Sequence, residues 1–184
     1  MATKHKVFLS YYHNEDEPFR NRFEALFGNV IVSRSVNIGD IDPNAQTEYV
    51  RQKIRDEYLS DSTVTVVLVG AHTWQRKHVD WEIYSSLRET ANSPRSGLLG
   101  ILLPTYPGFE KGVYNSNTIP PRLWDNVKER GDGQEPFSEI YNWTEDQLFM
   151  QNILNEAFEK RNRINPINNR PMYVNNRSGP FWQD

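Results

Sequence analysis

Glu82 is the residue in this chain best placed to do chemistry. It ends the polar stretch Gly70-Ala-His-Thr-Trp-Gln-Arg-Lys-His-Val-Asp-Trp-Glu82, which follows the most strand-like run, Thr63 to Val69. A buried strand, a polar loop and then a helix put that carboxylate outside the carboxyl end of a sheet, where open α/β sheets bind their ligands. Phe8, Ser10 and Tyr11 end the first strand on the same edge, and Thr73 and Trp74 stand in the loop before Glu82. These five are candidate substrate-binding residues. His13 and Arg34 join them, Arg34 as a partner for a pyrophosphate just past the second strand.

Plainer roles exist for each. A glutamate near a helix start interacts with the macrodipole, worth ~0.3–1 kcal/mol. Ser10 and Tyr11 can satisfy a strand end, tryptophans at positions 74 and 81 can pack, and Arg34 can sit in solvent. His13, His72 and His78 reach the same sheet edge, but metal sites show tighter spacing with carboxylate or cysteine partners, so no metal is assigned. No G-x-G-x-x-G follows the first strand, and no Walker loop, nucleophile elbow or kinase signature is present.

The elements that must position these residues alternate. Lys6–Ser10 reads as a strand, and Asp16 with Pro18 as the capped start of a helix through Phe19, Phe23, Leu26 and Phe27, closed by Gly28 as the C′ residue. Val30–Ser33 is the second strand. A loop from Asn37 to Asp42 and an Asp42-Pro43 cap precede a helix through Tyr49 to about Leu59. Thr63–Val69 and Leu98–Leu103 are buried strands. Residues 104–136, rich in proline and glycine, read as a long loop with little regular structure, and long loops are often functional. Ser138–Trp143 is the fifth strand, and Thr144-Glu-Asp-Gln147 spells a capping box for a last helix through Phe158. Such alternation gives an α/β fold, a flavodoxin-like three-layer sandwich on a parallel five-stranded sheet.

Bulk properties narrow the classes. A chain of 184 residues fits one core. A formal charge of -3, from 21 Lys+Arg against 24 Asp+Glu, offers no basic face to nucleic acid. The absence of cysteine removes disulfides and thiol chemistry. The N-terminus lacks the pattern of a signal peptide, and no run approaches the ~18 apolar residues of a membrane span. The expected location is the cytoplasm, with no membrane partner.

Val7-Phe-Leu-Ser-Tyr11, with Glu15, Asp16 and Glu17 close behind, resembles the first box of TIR domains. Val67-Leu-Val-Gly-Ala-His-Thr-Trp, continuing to Trp81-Glu82-Ile, resembles their third strand, loop and following helix, with the family's catalytic glutamate falling about at Glu82. The layout over roughly residues 5–160, including Tyr141-Asn-Trp143 and the closing helix, is similar to the bacterial TIR-like proteins of the Thoeris antiphage system. The chain departs from many TIR domains in having His78 where they carry a tryptophan, four residues before the glutamate, and in the length of 104–136. On this reading residues 1–160 form the TIR-like domain and 161–184 an extension packed on it through Met172, Tyr173, Val174, Phe181 and Trp182.

The resemblance implies an enzyme that takes NAD as substrate and needs no separate cofactor. Glu82 would cleave the nicotinamide N-glycosidic bond. The product would be a cyclic ADP-ribose-type messenger that diffuses to an effector protein. Self-assembly into a homo-oligomer is a further expectation of the family. Two rival readings share the fold: a non-catalytic TIR-type assembly module, and a nucleoside deoxyribosyltransferase-like enzyme that sets a glutamate against a ribose. A response-regulator receiver would need an aspartate at the end of the third strand, where this chain has Val69-Gly70-Ala71.

Overall fold

In the computed structural model, residues 4–35, 49, 53–90, 93–131 and 133–182 are described. The expected loop from Asn37 to Asp42, the Asp42-Pro43 cap and most of the start of the second helix lie outside them. Within them, the strands β1 (His5–Ser10), β2 (Ile31–Arg34), β3 (Val64–Val69), β4 (Gly97–Leu102) and β5 (Ile140–Asn142) form one sheet in the order β2-β1-β3-β4-β5. All neighbouring pairs are parallel. This is the flavodoxin-like arrangement, with its switch in strand order beside β1 and β3.

Every residue of β3 and β4 is buried, as expected of strands covered on both faces. Alternation along the strands divides the core. Val7, Leu9, Val66 and Leu68 pack with Phe23 and Phe27 of helix α1 (His13–Phe27) and with Met150, Ile153 and Leu154 of helix α4 (Gln147–Arg163). Val67, Val69, Leu98 and Leu102 face Val79 and Ile83 of helix α2 (Lys77–Ser86) and Leu123 of helix α3 (Pro121–Val127). Two glycines in β4 allow this close approach from both sides. A Cβ on Gly97 would lie 2.1 Å from the Ala157 carbonyl oxygen of α4, and one on Gly100 would lie 2.9 Å from Leu123 of α3.

Several expectations are corrected. Helix α1 begins a turn early, with Tyr12 as N-cap, so Asp16 is not its cap and Pro18 lies inside it. The Tyr12 carbonyl accepts from the amides of Glu15 and Asp16, which starts the helix before the proline. Gly28 does end α1, but at right-handed φ -54°, so no left-handed C′ turn is formed. Ile54–Leu59 winds as a π-helix. The cap of α4 is Asp146, whose carboxylate accepts from the Phe149 amide at 3.0 Å, while Thr144 Oγ1 accepts from the Asp146 amide.

The 104–136 segment is more regular than its composition suggests. It holds 3-10 turns at Phe109–Lys111 and Ser116–Thr118 before α3. Pro121 opens that helix, where its missing N–H costs nothing. Among the described residues no helix is long and apolar enough to cross a membrane.

Candidate functional site

Side-chain alternation in β1 sends Phe8 and Ser10 to the α2 face of the sheet. Phe8 is fully buried against Ile54, Leu59 and Trp81, so it forms the floor beneath the site rather than its wall. Ser10, one step on, donates its hydroxyl to Glu82 Oε2 at 2.5 Å.

That bond is the first rung of a ladder. As the chain leaves β1 from residue 10 to 16, it runs against residues 82 to 72 in the reverse direction. His78 Nε2 donates to the Tyr11 carbonyl at 3.2 Å. The Arg76 guanidinium lies 4.1 Å above the Tyr12 ring. Thr73 Oγ1 donates to Asp16 Oδ2 at 3.0 Å and accepts from the Gly70 amide at 2.8 Å. His72 Nδ1 meets Glu15 Oε2 at 2.8 Å on the outside. His13, at the head of α1, stacks on Tyr11 with ring centres 4.3 Å apart and meets His78 edge-on at 5.4 Å.

Burial sets the protonation of these groups. Glu82 is 2 % exposed, and loss of hydration pushes its carboxyl up to about 8, with the Ser10 hydrogen bond pulling partly back. Burial likewise holds His78 down to about 4 and lowers His13. Asp16 is pushed up to about 6, again by burial, against the pull of Thr73. Near neutral pH the free site therefore presents a neutral carboxyl and two neutral imidazoles. Such a group is poised to ionise when a cation arrives, since an opposite charge nearby favours the carboxylate.

The candidates do not all converge. Ser10, Tyr11, His13 and Glu82 gather at the carboxyl end of β1, Ser10 bonded to Glu82 and His13 stacked on Tyr11. Thr73 is fully buried and faces Asp16, so it holds the loop rather than the ligand. Trp74 is buried, and its carbonyl accepts from the Tyr173 hydroxyl at 3.3 Å. Arg34 turns back to Asp61 at 3.1 Å, where Asp61 also holds Lys6, so its reach is toward the amino end of β3 and away from Glu82.

Sequence reading missed the support behind α2. Asp80, two residues before Glu82, takes the Arg122 Nε–H at 2.9 Å and the Tyr173 amide at 2.9 Å. Arg122 is wholly buried and also donates to Asn168 Oδ1 and the Arg170 carbonyl. Trp81 Nε1 donates to the Tyr173 carbonyl at 2.8 Å. The segment after α4 thus clamps α2 through Asp80 and Trp81, beside Glu82. The legible signal was the set of apolar anchors within a polar tail, of which Tyr173 makes these contacts.

Two other features carry less chemistry. An open groove of about 1140 Å³ lies between the end of α3 and residues 167–181, but Asp125 there is neutralised by Lys128 at 3.0 Å and Arg170 at 2.8 Å. Glu135, Glu139 and Glu156 bring ligand atoms within 4.8 Å of one another, in the spacing of a metal site. The Lys160 ammonium already fills that space, 3.1 Å from Glu135 and 3.2 Å from Glu156, and bonded to Glu139.

Among known families, the one described as Thoeris protein ThsB, TIR-like domain, matches residues 8–107, from Phe8 of β1 through the Glu82 helix to just past β4. No curated protein matches the chain.

Proposed function

Because the chain belongs to the family of Thoeris ThsB TIR-like domains, we propose that it cleaves the nicotinamide–ribose bond of NAD and releases a cyclic ADP-ribose-type signal that activates an antiphage effector. The observation that supports this reading best is Glu82, buried at the carboxyl edge of the sheet, bonded to Ser10 and raised to about 8.

The nicotinamide of NAD is a pyridinium cation. Its arrival beside Glu82 lowers the carboxyl's proton affinity, so the proton departs and a carboxylate faces the ribose. As the C1′–N bond lengthens, its electron pair goes to nicotinamide, which leaves neutral, and positive charge spreads over C1′ and the ring oxygen. A buried carboxylate stabilises that charge far better than one in solvent. Ser10 fixes the orientation of the carboxylate, and the stacked Tyr11 and His13 rings offer a flat wall for a base. Water would then give ADP-ribose, and an internal nucleophile would give a cyclic isomer.

Mass-resolved chromatography of NAD incubated with wild type and Glu82→Gln tests the reading, with lysates of phage-infected cells run in parallel to supply a trigger. Nicotinamide and an ADP-ribose isomer from wild type alone are the expected result. No turnover in either setting, with both proteins folded, overturns it and favours an assembly module. Turnover of free nucleosides but not NAD favours the deoxyribosyltransferase-like enzyme.

A further inference from the structure

His13 and His78 stand together near Glu82, and no proton-transfer role has been given to either. His78 lies four residues before Glu82 on α2, so both project from one helix face. Its Nε2–H is occupied by the Tyr11 carbonyl, which fixes both its tautomer and its ring plane. His13 packs against that fixed ring and against Tyr11, while remaining partly open to solvent. One imidazole is held and the other is held by it.

Resting on the NAD reading above, we infer that His13 is the general base of the second half-reaction, removing the proton of the hydroxyl that attacks C1′, and that His78 positions it. The balance is simple. The C1′–N bond breaks and its electron pair leaves with neutral nicotinamide. A C1′–O bond forms from water or from a hydroxyl of the same nucleotide. The O–H proton passes to a ring nitrogen of His13 and then to solvent.

Glu82 is less suited to this second task, since it faces the charge on the ribose and is tied to Ser10. A neutral imidazole is matched to proton removal near pH 7. The groups around His13 keep it in that form. Burial against Tyr11 and Arg20 of α1 disfavour its charge, Glu17 of α1 opposes them, and the facing His78 is itself neutral. An attacking adenine ring nitrogen has no proton to give up in this step, so dependence on His13 also argues against a ring nitrogen as the nucleophile.

The experiment follows nicotinamide release from NAD across pH 5–9 (a range set by the expected titrations, roughly two units either side of neutral) for wild type, His13→Ala and His78→Gln, with and without added imidazole. For His13→Ala, kcat falls by roughly 10²–10⁴-fold, KM changes little, the acid limb due to an imidazole disappears, and free imidazole restores part of the rate. His78→Gln loses less and retains the imidazole limb, displaced in pH. A folded His13→Ala protein with wild-type kcat, or a loss that imidazole does not restore, overturns the assignment. His13→Gln, which keeps bulk against Tyr11, carries the same comparison if the alanine variant does not fold. If wild type releases no nicotinamide, the NAD reading falls and this inference with it; if wild type is active and only the His13 criteria fail, the NAD reading stands alone.

Discussion

The Ser10 hydroxyl lies 2.5 Å from Glu82 Oε2, and both side chains are closed off from solvent. This hydrogen bond is the one contact that draws the Glu82 carboxyl back toward its ordinary range against the effect of burial. Ser10→Ala should therefore push the carboxyl further up. If turnover needs the ionised form, the acid limb of kcat/KM moves to higher pH by roughly one unit, and activity at pH 7 falls on the order of tenfold. A pH–rate profile of nicotinamide release checks this. An unmoved limb would mean that Glu82 is not the titrating group.

Glu82 also bears on stability. In the unfolded chain it ionises near 4.5, but in the fold near 8. Between those values the folded state retains a proton that the unfolded state has lost. Stability from this group is thus fully present below about pH 4.5 and declines as pH rises toward about 8. Glu82→Gln removes the decline. The variant should gain little near pH 4.5 and roughly 2–4 kcal/mol near pH 8, read as a pH-dependent difference in chemical denaturation midpoints. Such a gain with loss of activity is the usual mark of a destabilised functional site.

What the sequence made legible here follows a physical rule. Thr63–Val69 and Leu98–Leu103 are continuous apolar runs, so the two central strands and the place of Glu82 after β3 could be read locally. The start of α1 could not, because the role of Asp16 depends on Thr73, 57 residues away. Helix α3 was hidden for a similar reason. Its apolar residues Leu123, Trp124 and Val127 stand at helical spacing, but in a helix of only 7 residues within a proline- and glycine-rich segment, and Arg122 reads as a surface residue until Asp80 and the tail enclose it. The direction in which Arg34 turns was not legible, because its partner, Asp61, comes from the loop before β3. Local patterns reveal elements, whereas long-range pairs of polar groups reveal which way a side chain turns.

Gly70 and Asp16 offer a direct test of one such pair. A Cβ on Gly70 would lie 2.3 Å from Asp16 Oδ1, and Asp16 is too deeply buried to swing away. Gly70→Ala should cost roughly 1–3 kcal/mol as an overpacked contact. Asp16→Ala alone should also destabilise, because it leaves Thr73 without its acceptor. The double variant should be less damaged than the sum by at least about 1 kcal/mol, since the two changes relieve one clash. Urea denaturation of the four proteins gives the coupling, and strict additivity would contradict the geometry.

Asp80 and Arg122 set the limit on how far α2 can be disturbed. The pair is buried to 2 % and 0 % exposure, and the same Asp80 carboxylate receives the Tyr173 amide. Removing one partner leaves the other charge buried and unpaired, so Arg122→Ala should cost roughly 3–5 kcal/mol. Asp80→Asn with Arg122→Met removes both charges and should recover much of that loss. The two variants should part in a second way. Arg122→Ala also deprives the Arg170 carbonyl and Asn168 of a donor, which loosens the segment that clamps Trp81. Limited proteolysis should then cut after α4 in Arg122→Ala sooner than in wild type, before global unfolding. Where the tail is freed while α2 stays folded, nicotinamide release should fall through kcat more than KM, because Glu82 sits on the helix that has lost its brace.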